Sequence, residues 1–145
     1  MSELARVSGV KRPLIYYYFG KSKIEILREA VRLLGEEFFG LSKKRLSLWE
    51  SGQIVESVRQ TRVIADRAPY LGAFYLAHRE KETDLGELIR KLERDQFKKI
   101  KRFFPKKSEE EIKLIWGVLF GLVFAPHVSD KTIVLAFQSS YWRFE

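Results

Sequence analysis

No cysteine occurs among the 145 residues, which excludes disulfides and thiolate-held zinc and points to a reducing compartment. Histidine is almost as scarce. His78 and His127 lie far apart in sequence, and no metal-ligand spacing connects them. A phosphate-cradling glycine loop, a nucleophile with a nearby base and a carboxylate pair in an apolar setting are all missing, so the chain does not read as an enzyme. The most apolar stretch, LIWGVLFGLVFAPHV at 114–128, is shorter than the ~20 residues needed to cross a bilayer, and Pro126 ends it. Glu3 and Arg6 interrupt any leader-like apolar start. The expectation is a cytoplasmic protein with no metal, no cofactor and no membrane partner.

Acidic residues are outnumbered, 19 against 27 Lys and Arg, for a net charge of +8 and a sequence pI of about 9.7. That balance suits a polyanionic partner, nucleic acid ahead of an anionic membrane. A lysine-rich solvated surface would account for the same charge. The basic run RKLERDQFKKIKRFFPKK at 90–107 divides in the same way, between a solvated helix face and an auxiliary phosphate contact or a site for an acidic partner.

Apolar residues recur three and four apart nearly throughout, and no period-2 stretch is sustained. SELARVSG forms a short helix closed by Gly9, and Pro13 sits in the first turn of a second helix running to about Phe19. Ser22 followed by Glu25 is a capping box that opens a third helix with the stripe Leu27, Ala30, Val31, Leu34, Phe38 and Leu41. Further helices are expected from about Gln53 to Arg67, after Pro69, from Asp84 to Phe104, from Ser108 to Ala125 by a second capping box, and from an Asp130 cap onward. The sum is an all-α fold of about eight helices, with a small basic module at 1–40 and a larger helical body at 41–145.

Ala5, Gly9 and Ile15 are spaced as a helix-turn-helix requires: a small residue where two helices cross, a glycine in the turn, and an apolar residue closing the wedge. In such a motif the second helix enters the major groove led by its first residues, here Lys11, Arg12, Pro13 and Leu14. Three consecutive tyrosines follow. Successive helical residues are about 100° apart, so Tyr16, Tyr17 and Tyr18 cannot all face one core. A tyrosine hydroxyl can donate to a phosphate while its ring packs on the protein. Periodicity points Ile15 and Phe19 inward, while Arg12 and Leu14 are placed for base edges.

The stretch LARVSGVKRPLIYYYFGKSKIEIL resembles the DNA-binding motif of the TetR family of transcriptional regulators through Val10, Pro13, Ile15, Tyr16, Tyr17, Tyr18, Phe19, Ser22, Lys23 and Leu27. The resemblance covers roughly the first thirty residues. It implies that the aromatic run divides between the module's core and DNA phosphates, with Tyr17 the best phosphate contact and Tyr18 and Lys23 beside it. Lys23 opens a helix, whose N-terminus favours an anion. Family members carry a further helix ahead of the motif, whereas Met1 here falls just before Leu4. The expectations are a chain shortened at this end and lost cover for Leu4, Ile15, Phe19 and Leu27. FGKSK is also one residue longer than the usual spacing.

The helix from Leu114 to Ala125 is apolar all round, with Gly117 and Gly121 four apart, and so must be buried on more than one side. It is either the central helix of a monomer or part of a contact with a second copy. The resemblance implies the second, a homodimer through Trp116, Gly117, Phe120, Gly121, Phe124, Ile133, Phe137 and Tyr141. A two-fold dimer sets two recognition helices about one DNA turn (~34 Å) apart, matching a palindromic operator. It further implies an effector pocket in the body. Phe74, Tyr75, His78, Phe97, Trp116 and Phe120 are its candidate lining, for an apolar or aromatic small molecule, with ordinary core as their plainer role. The implied function is a ligand-responsive regulator, a repressor in the commoner case, of double-stranded DNA. The other reading is a helical small-molecule-binding, lipid-binding or interaction protein whose truncated helix-turn-helix no longer binds DNA.

Overall fold

The computed structural model describes residues 2–20, 22–138 and 142. Among these residues the chain is all helical: α1 (Ser2–Ser8), α2 (Arg12–Phe19), α3 (Lys23–Phe38), α4 (Lys43–Glu50), α5 (Ile54–Arg67), α6 (Leu71–Arg79), α7 (Asp84–Phe103), α8 (Glu109–Phe124) and α9 (Asp130–Phe137).

Local chemistry sets most boundaries. At α3 the Ser22 Oγ accepts from the Glu25 N–H (3.2 Å) while the Glu25 carboxylate accepts from the Ser22 N–H (3.0 Å). Ser108 and Glu111 repeat this reciprocal cap at α8, and Thr83 caps α7 through the Gly86 N–H. The α9 cap is Ser129, not Asp130. Ser129 Oγ accepts from the Thr132 N–H at 3.1 Å, which leaves Asp130 inside the first turn to pair with Arg59 of α5.

The stripe expected to run unbroken to Leu41 is cut at Gly40, adding a helix to the expected number. Gly40 takes φ +65°, the Leu41 N–H returns to the Glu36 carbonyl (2.7 Å), and the Gly40 N–H returns to Glu37 (3.1 Å). This pairing closes a helix with a left-handed glycine, and it turns the chain from α3 into α4.

Helices α5, α7 and α8 form the centre of the body, with α3, α4, α6 and α9 packed around them. Ile100 and Ile115 are completely buried. An aromatic ladder crosses the interior: Phe38 to Phe124 (5.1 Å between ring centres), Phe124 to Phe120 (4.6 Å), Phe120 to Trp116 (5.2 Å) and Trp116 to Phe97 (5.7 Å). At the other end α1 packs on α2 and α2 on α3, and α3 in turn packs on α5 and α7. An Arg28–Asp84 ion pair joins α3 to the start of α7. Among the described residues no helix is long and apolar enough to cross a membrane, and no acidic or histidine cluster could hold a metal ion.

Candidate functional site

The turn between α1 and α2 passes through Gly9 at φ +66°, Val10 and Lys11. The amides of Leu14 and Ile15 both return to the Lys11 carbonyl (3.0 and 3.2 Å), which starts α2 with Pro13 in its first turn. Ile15 is 3% exposed and anchors α2. Lys11, Arg12, Pro13, Leu14, Tyr17 and Tyr18 are exposed and Tyr16 is half-buried. Tyr17 stands furthest out, at 80% exposure, with its ring edge-on to Tyr18 at 5.1 Å.

Phe19 departs from its expected inward placement and is exposed. The helix ends there, at Gly20 with φ +93°, and the main neighbours of α2 are α1 and α3. Leu4 and Leu27 are exposed as well, whereas Ile15 is buried. Lys23 is exposed at the first position of α3. The capping box already uses the amides of Ser22 and Glu25, so the amides of Lys23 and Ile24 are those a first turn leaves to an outside acceptor.

A second feature lies on the same helix. An apolar groove of about 390 Å³ opens between α3, the start of α6 and α7. Leu27, Val31 and Leu34 form its α3 wall, Tyr70 and Phe74 face them, and Leu92 closes the α7 side. Arg67 is the single charged residue along it. Gly35 lets the two walls approach, because a β-carbon there would collide with Leu92.

Of the six aromatic residues expected around a ligand, Phe74 and Tyr75 line this groove, and His78 lies against Phe74 at 4.5 Å. Phe97, Trp116 and Phe120 belong to the interior ladder, and Trp116 donates its indole N–H to Gln96 Oε1 at 2.7 Å. Tyr75 joins the two sets, 5.7 Å from Phe120. Burial, reinforced by the nearby Glu93 carboxylate, pushes the Tyr75 phenol well above its usual range.

The residues expected at a dimer contact divide similarly. Trp116, Phe120 and Phe124 turn into the ladder, Ile133 is buried, and Phe137 packs on Trp142 at 4.5 Å. Tyr141 lies outside the described residues. A β-carbon at Gly117 or Gly121 would meet nothing within 4 Å, and Leu114 nearby on α8 is exposed. The helix is buried on more than one side, as expected, by α5 and α7, and keeps one uncovered strip.

Two basic residues were not legible as part of any site. Arg45 of α4 is 1% exposed; its guanidinium donates to Gln60 Oε1 at 3.1 Å, to the Ser57 carbonyl and to Thr61 Oγ1. Lys99 of α7 is 6% exposed; its Nζ donates to the Gly40 carbonyl at 2.7 Å and sits 4.0 Å from the centre of the Trp49 ring. Among the described residues neither forms an ion pair. Burial pushes the Lys99 ammonium down to about 7, and the Arg45 charge acts in the same direction. Burial also lowers Arg45, opposed by Glu37 and Glu56 at longer range. Spacing held a signal for both. Lys99 lies three residues after Gln96 on the inward stripe of α7, and Arg45 lies midway between Leu41 and Trp49.

Comparison of the chain with known protein families, with curated proteins and with solved structures finds no match.

Proposed function

We propose that the chain is a TetR-like, ligand-responsive transcriptional regulator that binds double-stranded DNA through α2. The observation that carries this reading is the split of α2 into one buried anchor, Ile15, and an outward face of Lys11, Arg12, Leu14, Tyr17 and Tyr18. Large aromatic rings held in solvent between cations are costly to keep without a partner, and phosphate oxygens use both the hydroxyl and the charge. In the DNA major groove Arg12 and Leu14 meet base edges, while Tyr17 and Lys23 take phosphates. The net charge of +8 favours the encounter.

The groove supplies the effector site. Its volume is within the ~300–1,000 Å³ of small-molecule pockets, and its lining selects an apolar or aromatic ligand. Helix α3 links it to DNA: Leu27, Val31 and Leu34 line the groove, and Lys23 opens the same helix beside α2. A ligand that prefers one tilt of α3 therefore biases the position of α2. The open strip at Gly117 and Gly121 is the surface for a second copy, which makes the regulator a homodimer on a palindromic site.

A gel shift at stated salt with the DNA upstream of its own gene tests the reading. A shift lost in Arg12→Ala and weakened in Tyr17→Phe supports it; a shift unaltered by both defeats it. A second reading draws on the exposed Leu4, Val7, Phe19 and Leu27: a helical ligand-binding protein whose α1–α2 unit no longer grips DNA. Its signature is ligand binding in the groove by a chain that never retards DNA.

A further inference from the structure

Arg45 and Lys99 converge on one internal space. A cavity of about 40 Å³ lies between the α3–α4 turn and helices α5, α7 and α8, and both residues line it. A β-carbon at Gly40 would lie 2.7 Å from Lys99 Nζ and 3.8 Å from Arg45 Nε, so both nitrogens face the space that this glycine leaves open. Arg45 Nε is buried and has no hydrogen-bond partner.

The remaining polar groups around the cavity do not supply negative charge. Thr61 and the Ser57 carbonyl accept from Arg45, Ser57 Oγ accepts from the Trp49 N–H (3.0 Å), and Gln96 spends its carbonyl on Trp116, which leaves its amide as a donor. From α8 the wall is Trp116, Leu119, Phe120 and Val123, all uncharged. The carboxylates that act on Arg45, Glu37 of α3 and Glu56 of α5, do so only at a distance. Two buried cations without a contacting carboxylate carry a desolvation cost that neutral acceptors and one indole face offset only in part. A small anion between them removes the mutual repulsion and fills the open donor at Arg45 Nε. The cavity exceeds the ~10–15 Å³ that a single water needs.

We propose that this cavity binds a small monovalent anion, held by Arg45 Nε, Lys99 Nζ and the Gln96 amide. The anion is either a free inorganic ion or the carboxylate head of a slender acid. This inference does not depend on the DNA-binding reading, since Arg45, Gln96 and Lys99 all belong to the body.

The experiment is thermal unfolding at constant ionic strength, with sodium gluconate replaced stepwise by chloride, bicarbonate, acetate or hexanoate. The expected result is a rise that grows with the logarithm of anion concentration and reaches about 9 °C at some hundredfold the Kd. The rise should vanish in Lys99→Met, which keeps the side-chain volume and removes the charge. A rise with chloride and bicarbonate assigns a free ion; a rise that strengthens from acetate to hexanoate assigns a carboxylate head. No rise in the wild type with any of the four anions, or an equal rise in Lys99→Met, overturns the proposal. Bromide quenching of tryptophan emission tests the unmodified chain, because Lys99 Nζ rests on Trp49. A saturable component is expected, and purely linear collisional quenching overturns the site.

Discussion

Helices α1 and α2 hold at the surface the kind of residue that α5, α7 and α8 hold inside. Leu4, Val7, Leu14, Tyr17, Tyr18 and Phe19 are all exposed, while Val58, Ile100, Ile115 and Leu119 are buried. The body shows the opposite exception, two cations in its interior. Folding alone explains neither departure. An exposed aromatic face forgoes burial worth about 1.5–3 kcal/mol per large side chain, and a buried cation without a counter-charge costs more than it returns. On the proposed reading, each departure is a surface that a ligand completes, DNA for the first and a small anion for the second.

The comparison breaks most visibly in the core. Ile115→Ala, at a fully buried position, should cost about 2–5 kcal/mol in urea unfolding, whereas Val7→Ala should change stability by less than about 0.5 kcal/mol. Equal costs would mean that the module is packed as tightly as the body.

Lys99 sharpens the contrast through pH. Its folded pKa of about 7 lies below the unfolded value of about 10.4, so the unfolded chain binds the extra proton between those values. Wild-type stability relative to Lys99→Met should therefore rise from about pH 7 to pH 10, by an amount on the order of a few kcal/mol, and stay flat below pH 7. Anion affinity should fall over the same range, as the ammonium loses its proton. A flat difference across the whole range would mean that Lys99 is solvated.

Two glycines with nearly the same backbone separate strain from crowding. Gly9 (φ +66°) has open space around it, while Gly40 (φ +65°) faces Lys99 Nζ. Gly9→Ala should cost about 1 kcal/mol of backbone strain; Gly40→Ala should cost clearly more and weaken anion binding as well. A similarly small effect is expected from Ser108→Ala, about 1 kcal/mol or less from the lost cap on α8, with DNA affinity unchanged.

Legibility followed the range of the interaction. The caps at Ser22 and Ser108 and the break at Gly9 depend on residues within three positions of one another, and they were readable. The turn at Gly40 was hidden because Leu41 continues the apolar stripe and only tertiary packing decides whether the helix does too. Phe19 was misplaced because periodicity gives a direction, while only tertiary packing decides how much cover is found there. Arg45 and Lys99 were passed over because basic residues are ordinarily solvated, as Lys98 and Arg102 beside Lys99 indeed are. The face of α2 was legible from its aromatic and basic pattern. The groove was not, since its walls come from three helices far apart in sequence.

The most direct test of the central claim is fluorescence anisotropy of a labelled duplex from upstream of the gene, titrated with wild type, Tyr17→Phe and Arg12→Ala across a salt series. The account predicts that log K falls linearly with log salt. It predicts that Tyr17→Phe loses about tenfold in affinity at unchanged Tm, and that Arg12→Ala binds more weakly still. Indistinguishable affinities for all three proteins, or no salt-dependent binding by the wild type, would contradict it.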